Sequence, residues 1–126
     1  MPRTFDGVIL IAHGARDSRW VSPFVRMRED LAEKLGTRRV ALAFMDLAPP
    51  TLAEAAAELS RAGMRSVLVV PVFLSGGGHV AHDIPALVDA ERTRHPEVTF
   101  EVAGALGEER EVVAGMLAAV ARLAGA

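Results

Sequence analysis

Apolar and polar positions follow two periods along this chain, and stretches of each alternate. The run GVILIA at residues 7–12 is continuously apolar, as expected of a strand covered on both faces. From about residue 22 to 35 the period becomes helical, with Phe24, Met27, Leu31 and Leu35 along one side and Gly36 as the stop. RVALAF, residues 39–44, predicts a second strand. The next helix opens on a capping box, Thr51 with Glu54, carries Leu52, Ala55, Ala56 and Leu59 at helical spacing, and closes at Gly63. SVLVVPVF, residues 66–73, predicts the third strand, with Pro71 near its exit, where a missing N–H is easiest to tolerate. Asp83 reads as the N-cap of a third helix running to about Arg94, with Ile84, Leu87 and Val88 on one face. VTFEVA at 98–103 is the weakest strand, and Val113, Met116, Leu117 and Val120 mark a last helix.

Strictly alternating strands and helices imply a parallel sheet, because right-handed crossovers leave few other solutions. The expected class is α/β: a three-layer, four-stranded parallel sheet in the order 2-1-3-4, helices on both faces, with a flavodoxin-like outline. No linker, repeat or low-complexity tract divides the 126 residues, so 1–126 reads as a single domain.

Composition narrows the function classes. A net charge of −2, five Phe and one Trp offer neither a basic field nor a stacking platform for nucleic acid. With no Cys, disulfides, Fe–S clusters and thiolate metal sites are excluded. The apolar runs are strand-length, so no membrane span is expected. The N-terminus lacks a clear secretory signal, and a cytoplasmic address fits. Of the 14 basic residues only Lys34 is lysine, and it lies within a predicted helix, which argues against a P-loop or Schiff-base lysine.

In a parallel sheet all strands end at one edge, where ligands bind at the switch point. His13 follows the first strand, Asp46 the second and His79 the third. Two imidazoles and a carboxylate suit first-row divalent metals, and imidazole also exchanges a proton near neutral pH. Taken singly, each has a plainer reading: a hydrogen-bonded loop residue for either histidine, a brace for the APP turn for Asp46. His82, beside the predicted cap, and His95, at a helix end where a cation suits the dipole, read as structural. Gly76, Gly77 and Gly78 lack the endings of a P-loop or a GxGxxG turn, yet their backbone N–H groups near a helix start suit anions. Arg16 and Arg19 on the opposite loop can pair with anionic groups, or with Asp17 form a solvated charged turn.

ILIAHGARD, VALAFMDLAPPTLAEA, VVPVFLSGGGHVAHDIPALV and ALGEER together resemble the small CbiX/SirB family of class II tetrapyrrole chelatases, over essentially the whole chain. The resemblance implies ATP-independent insertion of Co²⁺, or else Ni²⁺ or Fe²⁺, into sirohydrochlorin, with no nucleotide. It makes His13 and His79 the catalytic and metal-handling pair and puts Asp46 where the family usually has Glu. Arg16 and the Gly76–Gly78 loop would meet the carboxylates of the substrate. Ala15 stands where the family's His-Gly-Ser-Arg-Asp motif has Ser. Longer relatives carry two such lobes, so a homodimer is expected. A non-catalytic metal or tetrapyrrole carrier is the alternative from another class, and a binder of phospho-ligands is a third reading.

Overall fold

The structure is a computed structural model that describes residues 4–77 and 79–125, with the backbone alone for 79–82. Four parallel strands, β1 (Gly7–Ala12), β2 (Val40–Phe44), β3 (Ser66–Pro71) and β4 (Thr99–Val102), form one sheet in the order β2-β1-β3-β4, as the alternation predicts. The helices are α1 (Ser18–Leu35), α2 (Leu52–Arg61), α3 (His79–Arg94) and α4 (Arg110–Leu123). Short 3-10 turns at Thr37–Arg39 and Leu106–Glu108 precede β2 and α4.

The two sides of each central strand serve different cores. Ile9 and Ile11 of β1, Ala41 and Ala43 of β2, and Val67 and Val69 of β3 meet Leu52, Ala55, Ala56 and Leu59 of α2 and Ile84 and Val88 of α3. On the other side Leu10, Ala12, Leu42 and Phe44 pack beneath Val21, Phe24 and Leu31 of α1. Phe24 meets Phe44 edge to face, with ring centroids 6.2 Å apart. α2 is built as its sequence predicts: the Thr51 hydroxyl accepts from the Glu54 amide, and Glu54 accepts from the Thr51 amide.

Two helix starts differ from expectation. α1 begins at Ser18 rather than 22, because the Asp17 carboxylate accepts from the Arg19 amide and caps it there. α3 begins at His79, which places Asp83 inside the helix instead of at its cap. In both helices a proline, Pro23 or Pro85, lies within the second turn and imitates a first-turn proline in sequence. Leu87, expected on the buried face of α3, is 39% exposed, whereas Ile84 and Val88 are buried.

The larger surprise is α4. Val113, Met116, Leu117, Val120 and Leu123 are all exposed, and no described residue of this helix is buried. The sheet face beside α1 is correspondingly open. Val8, Leu10, Leu68 and Val70 floor an apolar groove of about 470 Å³, walled by Met27, Leu31 and Leu35 and closed at one end by Leu106.

Candidate functional site

The strand exits are locked to one another before any functional side chain appears. The Met45 amide donates to the Ala12 carbonyl at 2.9 Å, and the Val72 amide donates to the Ile11 carbonyl at 2.8 Å. The residues following β1 are thus held between those following β2 and β3, and His13 is the first side chain past the end of β1.

Asp46 comes to His13 by a contact that depends on glycine. A Cβ on Gly14 would stand 2.0 Å from the main-chain oxygen of Asp46, so only glycine lets the two loops approach this closely. The Gly14 amide donates to Asp46 Oδ1 at 3.1 Å, which leaves Oδ2 turned toward His13 Nδ1 at 3.9 Å. That separation is an electrostatic contact rather than a hydrogen bond. Both side chains are a little more than half exposed, at 57% and 53%. Phe73 meets the His13 ring edge-on, with centroids 4.9 Å apart, and limits its rotation from the β3 side. Leu47, directly after Asp46, has φ 63° and a side chain that is 58% exposed.

The glycine loop is tied down from the fourth strand. The Gly76 amide donates to Glu108 Oε1 at 2.8 Å, so this N–H already serves a carboxylate of the chain itself. Glu108 lies in the turn after β4, and Gly107 in the same turn donates to the Phe73 carbonyl at 2.8 Å. Gly77 is exposed. Gly78 and the side chains of His79 and His82 lie outside the described residues, although the backbone of His79 opens α3 after this loop. The structure therefore brings Asp46 to His13 and places the glycine loop at the same sheet edge.

The arginines divide their roles. Arg19 is engaged by Asp17, with Nη2 to Oδ2 at 2.7 Å and Nε to both oxygens at 3.1 and 3.2 Å. This ion pair holds the Asp17 carboxyl below, and the Arg19 guanidinium above, their ordinary ranges. Arg16 is exposed and has no hydrogen-bond or ion-pair partner among the described residues. It lines a cavity of about 500 Å³ together with Gly14, Ala15, Asp17, Trp20 and Leu47. Among the described residues no three His, Asp or Glu side chains gather as a metal cluster; His13 and Asp46 offer two donors.

Phe73, Glu108, Trp20 and Leu47 were not singled out from sequence. Glu108 was within reach, since it belongs to the ALGEER segment, whereas the ring contact of Phe73 and the positive φ of Leu47 leave no mark in the residue pattern.

A doubly wound parallel sheet with a histidine–carboxylate pair at its switch-point edge defines an α/β protein whose candidate ligand site lies among the strand-exit loops. Residues 7–123 match the CbiX family, and the chain belongs to it. A sirohydrochlorin cobaltochelatase of Methanothermobacter thermautotrophicus is 34% identical over 82 residues, covering 65% of this chain and 57% of that protein. One from Saccharolobus solfataricus is 29% identical over 112 residues, covering 84% and 86%. The match with the Methanothermobacter protein thus spans less than two thirds of that relative's length, as does one with Methanopyrus kandleri, at 59%. Among solved structures, a CbiX protein of cobalamin biosynthesis from Marinobacter aquaeolei VT8 superposes with a TM-score of 0.84 at 29% identity, over 94% of this chain and 97% of that one. SirB from Bacillus subtilis subspecies spizizenii, in complex with cobalt, superposes at 0.79 and 21% identity, over 91% of this chain and 49% of that one, a likeness of fold.

Proposed function

We propose that this protein inserts a divalent metal, Co²⁺ first and otherwise Ni²⁺ or Fe²⁺, into sirohydrochlorin without a nucleotide. The observation that carries the proposal is the open His13–Asp46 pair at the exit of β1, facing the loops after β2 and β3. The cobaltochelatase relatives support the substrate and the metal.

The reaction exchanges two pyrrole N–H protons for one metal ion, which must first shed water. In this reading His13 and His79 hold the incoming ion loosely and accept the departing protons, and Asp46 orients His13 and adds an oxygen donor. The metal is substrate, so a weak and open site suits its release into the macrocycle better than a closed cage would. Arg16, without a hydrogen-bond or ion-pair partner among the described residues, is suited to a peripheral carboxylate of the tetrapyrrole. Gly77 and Gly78 would let the flat ring come near the backbone, while the Gly76 amide, engaged by Glu108, serves to shape the loop. We place the protein in the cytoplasm as part of the same proposal; no helix among the described residues is long and apolar enough to cross a membrane.

The same proposal includes a homodimer. Each chain leaves a groove on its sheet face and an apolar stripe on α4. Reciprocal exchange of α4 between two copies would fill both grooves with one symmetric contact. Acidic and basic groups stand on both partners, Asp30 and Lys34 at the groove and Glu111 and Arg122 near the ends of α4. A standard interface buries roughly 1,600 Å², within reach of two such helices in two such grooves.

The test is anaerobic metallation followed by visible absorbance, with sirohydrochlorin and Co²⁺, Ni²⁺ or Fe²⁺ in turn. Multiple turnovers that fall at least a hundredfold in His13→Ala and in His79→Ala are expected, in keeping with the contribution of about 10²–10⁴ from a positioned proton acceptor. Pigment bound without turnover above the protein-free rate would replace the enzyme with a carrier.

A further inference from the structure

Trp20, the single tryptophan of the chain, is 71% exposed on the first turn of α1. A large aromatic this bare is informative where it joins other exposed apolar residues in one patch. It does not stand alone: Leu47, held at φ 63° and 58% exposed, lines the same 500 Å³ cavity, as do Gly14 and Arg16. A bulky aliphatic residue at positive φ carries a steric cost that a polar or glycine residue would avoid. The two apolar side chains thus share this cavity with the loop that follows His13, including Arg16, whose guanidinium has no partner among the described residues.

We infer that Trp20 and Leu47 form the wall against which the flat macrocycle rests, and that they position it over His13 with one acidic substituent on Arg16. The inference depends on the chelatase reading and adds to it the side from which the ring is held. The chemistry of the cavity selects this occupant: Trp20 and Leu47 offer an apolar face to a conjugated ring, and with Asp17 engaged by Arg19, the lining charge left without a partner among the described residues is the Arg16 guanidinium, which suits an acidic periphery. A second copy of the chain is the rival occupant. It is less favoured because the groove suited to α4 is lined by Val8, Leu10, Leu31, Leu68 and Val70 and not by Trp20.

Trp20→Ala and Trp20→Phe separate the possibilities in the full chain. In steady-state metallation Trp20→Ala should raise KM for sirohydrochlorin about tenfold, the scale of one lost stacking contact, with KM for the metal held within about twofold. Trp20→Phe should return most of the affinity, since a flat ring remains. Titration of metal-free pigment should give the same order of affinities without turnover. Leu47→Gly, which relieves the positive φ while removing the wall, should weaken pigment binding in the same direction. Unchanged pigment affinity in Trp20→Ala, beside an active wild type, overturns the inference and leaves the chelatase standing. Loss of affinity accompanied by halved mass in sedimentation also overturns it, and assigns Trp20 to contact between copies. A wild type that neither binds nor metallates the pigment removes the chelatase reading, and the inference with it.

Discussion

A methyl group on Gly14 would enter the main chain of Asp46, and this intrusion gives a sharp test of the site at the scale of one residue. Gly14→Ala must push apart the loops after β1 and β2, and overpacking of this kind costs about 1–3 kcal/mol. We expect that loss in urea unfolding. Metallation should fall as well, because the Gly14 amide that orients Asp46 moves with the loop. Sequence placed His13 and Asp46 at one sheet edge, since parallel strands all end there, without pairing the two side chains. It did not reveal that a backbone amide of the glycine after the histidine would aim the carboxylate. Nor did it reveal the ring of Phe73 against His13, which depends on the path of the chain after β3 leaves the sheet.

Among the elements, those closed by local chemistry were read correctly. α2 carries its own start signal in Thr51 and Glu54, and its four expected core residues are all buried. Thr51→Ala removes the hydroxyl that accepts from the Glu54 amide and should cost about 1 kcal/mol, visible as a lower urea midpoint at unchanged slope. The starts of α1 and α3 lie at least a turn upstream of those that the apolar period and Asp83 predict, with Pro23 and Pro85 inside the helices. In α1 the true start is set by Asp17, whose capping bond spans two residues and competes in sequence with the plainer reading of a charged turn. The fourth strand was overextended by one residue at each end, the usual uncertainty where a strand has only one neighbour.

Across the whole molecule the sheet is covered unequally. α2 and α3 close one face, while α1 closes only part of the other, and α4 departs without covering the remainder. The apolar stripe on α4 was visible in sequence, but a helical period states only that one face seeks cover, not which molecule supplies it. On the proposed exchange, Leu117→Glu with Val120→Glu should leave the isolated chain folded, because both positions are open to solvent. Sedimentation should then report half the wild-type mass, and circular dichroism an unchanged helix content. A wild type that is itself monomeric would refute the exchange.

On the proposed exchange, α4 finds its seat on another molecule, and completion of the fold becomes a second-order event. Dilution would then act on this protein as a mild denaturant acts on others, and its melting temperature would rise with its own concentration. Cells that make little of it would hold a larger share as unfinished halves, so the catalytic output would grow faster than the amount of chain until pairing saturates.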